Sequence, residues 1–275
     1  MTDTVEILLA TYCGERFIAE QLDSLLAQTH GALKIVVRDD GSADRTMEIV
    51  EQYRDRFPHV IRIDKETDAR LGSRQSFLHL LKNSTADYLM FCDQDDVWEK
   101  DKVEKSLRQL KLLEADQGRD APCLVFTDLQ VVDGSLNSIS ESFWQHQRLH
   151  PSVALNWKQL AAQNVVTGCT MLFNRAVKNF YAPYVNLPLF HDHMIAIVCA
   201  RFGRVAWISD RTMKYRQHGA NVAGALRFNL SYVVQKFAHL RSISGTFFKI
   251  SKASGNAVGF LELVFHKLSI NIRRL

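Results

Sequence analysis

The chain has 275 residues, 47% of them hydrophobic, and a formal net charge of +4. That composition supplies an ordinary globular core and excludes a disordered or low-complexity polypeptide. The small excess of positive charge is dispersed until the C-terminal part, so it does not argue for a nucleic-acid partner.

The N-terminus, "MTDTVEILLATYCGE", has no basic segment leading into a long apolar stretch, so a signal peptide is not expected. No run of 18 apolar residues occurs, so no membrane-spanning helix is expected either. Cys13, Cys92, Cys123, Cys169 and Cys199 are odd in number and form no CxxC pair. They read as free, buried thiols of a cytoplasmic protein.

In chain order, "VEILLAT" (5–11) is a short apolar run with branched residues, the pattern of a buried strand. "GERFIAEQLDSLLAQ" follows as a helix, with Phe17, Leu22, Leu25 and Leu26 near helical spacing. "LKIVVRDDGS" predicts a second strand that ends in two aspartates and a glycine. "ADRTMEIVEQYRDRF" sets Met47, Val50, Tyr53 and Phe57 on one helical face. "HVIRID" predicts a third strand, "RQSFLHLLKNS" a helix, "DYLMFCD" a fourth strand, "KDKVEKSLRQLKLLEA" a helix and "CLVFTDLQVVD" a fifth strand. The alternation implies parallel βαβ units in an α/β sheet, in which ligands bind beyond the carboxyl ends of the strands.

Farther on, "VVTGCTMLFNR" (165–175) predicts a strand. "HDHMIAIVCARFG" predicts a helix ending at Gly203 as its C′ residue. "RVAWIS" predicts another strand, and "KYRQHGANVAG" a polar loop. A composition shift near residue 225 divides a catalytic region, 1–224, from a basic, amphipathic helical region, 225–275.

Carboxylates gather at the predicted strand ends: Asp39 and Asp40 after the second strand, Asp93, Asp95 and Asp96 after the fourth, and Asp128 near the fifth. In an extended "DQD", Asp93 and Asp95 project to one side and Gln94 to the other. Two hard oxygen ligands on one side suit Mg²⁺ or Mn²⁺, which then shares the phosphates of a ligand. Asp96 has a plainer reading as a helix cap. "RDDGSAD" reads equally as a turn with a helix start, and as a site for a base and ribose.

Four segments, "ATYCGERFIAEQLDSLLAQTH", "VVRDDGSADRT", "FCDQDDVW" and "HDHMIAIVCARFG…YRQHGAN", occur in that order over residues 4–224. In them the chain resembles the inverting glycosyltransferases of family 2, and among these the rhamnosyltransferase-like enzymes of bacterial polysaccharide and O-antigen synthesis. The resemblance implies the GT-A fold: a Rossmann-like, mostly parallel sheet flanked by helices, here with a C-terminal helical extension.

It also implies that Thr11, Tyr12, Glu15, Asp39 and Asp40 line a nucleotide pocket. Asp93 and Asp95 become the metal-binding acids, Asp95 the more direct ligand. Asp192 matches the catalytic base and His218 a metal or diphosphate contact. Two positions depart from the subgroup: Gln75 stands where asparagine is common, with Arg74 beside it still able to face a phosphate, and His193 stands where an aromatic is usual.

The implied reaction moves a sugar from a dTDP- or UDP-linked donor, rhamnose being the subgroup's sugar, to a saccharide or lipid-linked saccharide. Asp192 removes the acceptor proton, and Mg²⁺ or Mn²⁺ with basic groups neutralises the departing diphosphate. From local sequence alone, Asp192 is equally a helix N-terminal acid, and Arg216 is equally a phosphate ligand or one half of a structural salt bridge. Trp98, Phe143, Trp144 and Trp157 are candidates to stack on sugar rings, although most aromatics are core.

Two other classes compete. A phosphatase with a DxD nucleophile would carry that motif on its first strand. A non-catalytic sugar-nucleotide-binding protein would have no use for Asp192.

Residues 226–275 carry Arg227, Lys236, Arg241, Lys249, Lys252, Lys267, Arg273 and Arg274, no aspartate and one glutamate. That region reads as amphipathic helices, set against either an anionic membrane surface or the catalytic domain.

Overall fold

Strands form where branched and aromatic residues run without interruption, and helices where apolar residues recur every three or four. The computed structural model describes residues 3–67, 69–219 and 240–274, with side chains from 244 in the last segment. The first half follows the expected alternation: β1 (Val5–Thr11), α1 (Ile18–Leu26), β2 (Leu33–Asp39), α2 (Thr46–Arg56), β3 (Ile61–Ile63), α3 (Ser73–Asn83), β4 (Tyr88–Cys92), then β5 (Val97–Trp98) and α4 (Lys102–Gln117). The second half holds β6 (Cys123–Val132), β7 (Ser138–Ser140), α5 (Phe143–His146), α6 (Trp157–Ala162), β8 (Met171–Asn174), α7 (His191–Phe202), β9 (Arg204–Arg216), α8 (Leu240–Ala253) and α9 (Phe260–Arg274).

The sheet runs β3-β2-β1-β4-β8-β6-β9-β5, with β7 on the side of β6. β1 pairs in parallel with both β2 and β4, and β6 in parallel with β9; the short strands β5, β7 and β8 pair antiparallel. The sheet is therefore mixed, parallel along its long pairings. After β3 the chain returns through α3 to the opposite side of β1. That reversal of strand order opens a crevice at the carboxyl end of β1, the position where open α/β sheets bind ligands.

Period-two alternation divides the core. Val5, Ile7 and Leu9 of β1 join Val103, Leu107 and Leu110 of α4 on one face, whereas Leu8 joins Phe77, Phe91 and the residues of α7 on the other. β4 is buried at all five positions, as a central strand covered on both faces should be. Each such side chain contributes about 1.5–3 kcal/mol on burial.

Several expectations change. Of the strand expected over 165–175, only Met171–Asn174 pairs; Gly168–Thr170 is a 3₁₀ turn. β9 runs through Lys214, Tyr215 and Arg216, which were expected to open a polar loop, because Gln130, Val131 and Val132 of β6 supply them with a partner strand. The rest of that loop beyond Gly219, the boundary near 225, Arg227 and Lys236 lie outside the described residues, as does the side chain of Arg241. Gly203 does end α7, but its φ of −153° is not left-handed. It is glycine because a Cβ would stand 1.9 Å from the Pro122 carbonyl oxygen. Four cysteines are buried and free, whereas Cys13 is exposed.

Candidate active site

The carboxyl end of β1 opens into a cavity of about 340 Å³. Thr11, Tyr12, Asp40, Asp93, Asp95 and Asp192 line it, so acids from three separate segments meet around one space at the end of β1. Arg70, Ser73, Ser76, Gln94, Gly168, Phe190 and His191 complete much of the wall.

Asp40 closes the β2 side. Its Oδ1 accepts from Arg38 at 2.9 Å and from the Leu71 N–H at 2.6 Å, and its Oδ2 accepts from the Gly72 N–H at 2.8 Å. Burial pushes the Asp40 carboxyl up, but these donors outweigh it and hold it below the ordinary range. Asp40 thus pins the entry to α3, where Gly72 adopts a left-handed φ of 77°. Asp39 points elsewhere: its oxygens accept from the Gly41 and Ser42 N–H groups at 3.0 and 2.8 Å, so it holds its own turn and does not line the cavity. Glu15 likewise accepts from the Arg45 N–H at 2.9 Å, outside the lining.

The β4 side is organised differently. The chain bends at Gln94 and Asp95 instead of staying extended, so Gln94 reaches the same cavity as its neighbours. Its Oε1 accepts from Thr11 Oγ1 at 2.6 Å and the Tyr12 N–H at 2.8 Å, and its Nε2 donates to the Tyr12 carbonyl at 3.0 Å. This ties the end of β1 to the acidic bend. A Cβ at Gly14 would lie 2.3 Å from Gln94 Oε1, so a side chain there would push the Gln94 amide off the end of β1.

Asp95 meets His218 Nε2 at 2.7 Å, and the His218 ring stacks near Phe17. The Asp93 carboxylate has no hydrogen-bond donor among the described residues; only its backbone carbonyl accepts, from Cys92 Sγ at 3.2 Å. Burial pushes its carboxyl well up, and the charges of Asp95 and Asp192 push it further.

Asp96 is fully buried behind the cavity. It accepts from the Arg216 N–H at 3.1 Å, while its Oδ2 meets no donor. It does not cap α4, whose N-cap is Asp101. Arg216 serves the same bend from behind, donating to the Asp95 carbonyl at 2.8 Å, to the Gly134 carbonyl at 2.9 Å and to Glu20. Of its two readings, the structural salt bridge is the one observed.

Asp192 enters from the N-terminus of α7. Burial pushes it up to about 6, opposed by N–H donation from His193 at 2.6 Å, from Gly168, and from the Asn164 side chain at 3.4 Å. A Cβ at Gly168 would lie 3.1 Å from His191 Nε2 and 3.3 Å from Asp192 Cβ, so this glycine leaves room for the acid. His191 stacks on Phe77 with its Nδ1 unpartnered, and burial pulls its imidazole down to about 3. His193 turns away: its Nε2 lies 2.8 Å from the Leu160 carbonyl, and burial pulls it down to about 4. It does not shape the cavity wall.

Arg74 is also corrected. It donates to the carbonyls of Val185, Leu187 and Leu189, bracing the loop before α7, and it does not line the cavity. The cation at the rim is instead Arg70, stacked over the exposed Tyr12 ring at 4.2 Å. Gln75 is exposed on α3 and outside the lining. Trp98, Phe143, Trp144 and Trp157 do not line the cavity either; Trp98 and Trp144 are buried and the other two pack against the core. Asp128 lies within β6 at a register shift, where its side chain accepts from Ser142 and the Trp144 N–H and so starts α5.

Gln94, Arg70 and Gly168 were not singled out beforehand. The only signal for Gln94 was its place between two acids; for the others the neighbours that matter are remote in sequence.

The model of the glycosyl transferase family 2 matches residues 6–179. The chain is 29% identical over 238 residues to the dTDP-rhamnosyl transferase RfbG of Shigella flexneri, covering 82% of this chain and 75% of that protein. It is 30% identical over 105 residues to the putative teichuronic acid biosynthesis glycosyltransferase TuaG of Bacillus subtilis, covering 38% of this chain and 40% of that one.

Among solved structures it resembles S. aureus TarS 1–349 in complex with UDP-GlcNAc, with TM-score 0.61, 16% identity, 98% of this chain and 72% of that chain covered. It also resembles the mannosyltransferase PcManGT of Pyrobaculum calidifontis in complex with GDP-Man and Mn2+, with TM-score 0.60, 15% identity, 99% and 74% covered. These two likenesses fix the GT-A fold. Fold, motif order and family match agree: the chain belongs to glycosyl transferase family 2 and is a glycosyltransferase.

Proposed function

We propose that the chain transfers a sugar from a nucleoside diphosphate donor to a hydroxyl of a saccharide or lipid-linked saccharide, inverting the anomeric centre. The observation that carries this reading is that Asp192 faces the same cavity as Asp93 and Asp95, near enough for its charge to raise Asp93. A base and a leaving-group site are thereby set on one space.

The donor set fits a divalent cation. The Asp93 carboxylate has no donor among the described residues, the Asp96 Oδ2 is orphaned, and hard carboxylate oxygens suit Mg²⁺ or Mn²⁺. Asp93, Asp95 and His218 would hold it. Such an ion supplies charge neutralisation for a departing diphosphate. Arg70 adds positive charge at the rim, and Tyr12 offers a face for the base. Thr11 is held by Gln94, and Asp40 fixes the loop that borders the donor.

In the transfer, the acceptor oxygen forms a bond to the anomeric carbon as the bond from that carbon to the diphosphate oxygen breaks. The acceptor proton passes to Asp192, whose raised affinity for protons suits a general base near neutral pH. One displacement with one base gives inversion.

The relative RfbG, a dTDP-rhamnosyl transferase, supports dTDP-rhamnose as donor, and the resemblance to the rhamnosyltransferase-like enzymes makes a bacterial cell-surface polysaccharide the product class. The test is a donor screen by mass spectrometry with Mn²⁺, using dTDP-, UDP- and GDP-sugars with wild type and Asp192→Asn. One donor is expected to be consumed above the others, with transfer by Asp192→Asn lower by about 10²–10⁴-fold. Full transfer by the variant overturns the assignment of the base, and no consumption of any sugar nucleotide overturns the reaction.

A further inference from the structure

α9 carries two opposite apolar faces. One, with Leu263 and Ile270, is buried against the domain. The helix is held there by Lys158 on Glu262 at 2.8 Å and by Arg148 donating to the Arg274 carbonyl at 3.1 Å. The other consists of Leu261, Phe265, Leu268 and Ile272, which are 53–78% exposed. Their spacing of i, i+4, i+7 and i+11 confines them to an arc of about 60° at 3.6 residues per turn. Four large apolar side chains in one unbroken solvent stripe are not ordinary surface scatter.

The surroundings are cationic. Glu262 is the only acid after residue 225, and it is paired with Lys158. Lys249 and Lys252 are exposed on α8, beside the exposed Phe248. At the far end, Ile272 runs into Arg273, which with Arg148, Arg211 and Arg274 lines a second cavity of about 690 Å³. The one acid in that cavity, Asp128, is engaged with Ser142 and the α5 backbone. A second copy of the chain would bring this cationic edge against itself; an anionic lipid surface complements it.

We infer that α9 lies in the plane of an anionic bilayer, with Leu261, Phe265, Leu268 and Ile272 inserted among the acyl chains and the exposed Arg273 at its C-terminal end facing lipid phosphates. The helix rests on the surface and does not cross it, since none of the described helices is long and apolar enough to span. The inference is independent of the donor and acceptor proposed above.

The test is co-sedimentation of the full chain with phosphatidylglycerol-containing vesicles and with pure phosphatidylcholine vesicles. Wild type is compared with a Leu261→Gln, Phe265→Gln, Leu268→Gln triple variant and with Arg273→Glu. Binding to the anionic vesicles is expected to drop about tenfold or more in the triple variant, severalfold in Arg273→Glu, and with added salt. Circular dichroism and the thermal transition should stay at wild-type values, as these side chains are exposed.

Phe265→Trp gives a second readout: its emission should shift to the blue and be quenched by brominated lipid only when anionic vesicles are present. Failure of wild type to bind, equal binding to both vesicle types, or unchanged binding by the triple variant overturns the inference. A concentration-dependent dimer in ultracentrifugation that the triple variant abolishes also overturns it, making the stripe a subunit interface.

Discussion

Two acidic turns, "RDDGS" after β2 and "DQDD" after β4, look alike as strings and differ in where their charge goes. The first is satisfied from within: Arg38 and two loop N–H groups reach Asp40, and turn N–H groups reach Asp39. The second is not. The Asp93 carboxylate has no donor among the described residues, Asp96 is half-satisfied, and Arg216 and His218 engage mainly the bend and Asp95. A carboxylate supplied with donors holds backbone in place, whereas a buried one left short of them has its charge unanswered and holds its proton more tightly.

The sharpest way to break this contrast is to neutralise each turn. Asp93→Asn with Asp95→Asn should reduce transfer by about 10³-fold, in the range of lost electrostatic stabilisation. The same pair should leave metal-free thermal stability at pH 8 equal or higher. The sign follows from Asp93: its folded proton affinity is raised, so the folded state binds more protons than the unfolded one between the ordinary carboxylate range and the raised value. Stability therefore declines as pH rises through that window, and asparagine removes the penalty. Asp40→Ala should behave in the opposite way. It strands the buried Arg38 charge and two loop N–H groups and should cost about 3–5 kcal/mol in denaturant unfolding. A stable Asp40→Ala, or a destabilised Asp93/Asp95 variant, would erase the distinction.

Smaller effects sharpen it. Mn²⁺ at 100 times its dissociation constant should stabilise wild type by about 2.7 kcal/mol and leave the Asp93/Asp95 variant unchanged, as read by thermal shift. EDTA should reverse the gain. Smallest is the pH dependence: transfer should fall about tenfold per unit below the value of about 6 at which Asp192 takes up its proton, and flatten above it. A profile flat down to pH 5 would remove Asp192 from the proton path.

Much of the sheet was legible because its signals are local. β1 matches the expected strand at both ends, and the helices from α1 to α4 and α7 follow their apolar spacing closely. β5 and β7 were missed, being two and three residues long. Such segments carry no period, and β5 pairs because β9 is beside it. The end of β9 was read as loop because Lys214 and Arg216 are polar, although an adjacent β6 satisfies their backbone regardless of side chain. At the site, the gathering of acids from the ends of β2 and β4 and the start of α7 followed from strand order and motif resemblance. The individual roles of Arg74, Arg216, His193 and Asp128 did not.

What the sequence alone determined was periodicity and the position of charge along the chain: which stretches bury one face, and which strand ends carry carboxylates. Only the tertiary structure decided which of those charges are answered. The Leu71 N–H that satisfies Asp40 lies 31 positions away, the His218 imidazole on Asp95 lies 123 away, and the Leu189 carbonyl that takes Arg74 out of the cavity lies 115 away. The physical reason is one of range. Apolar spacing is a property of ten neighbouring residues, whereas the partner of a buried polar group is whatever packing brings within about 3 Å of it.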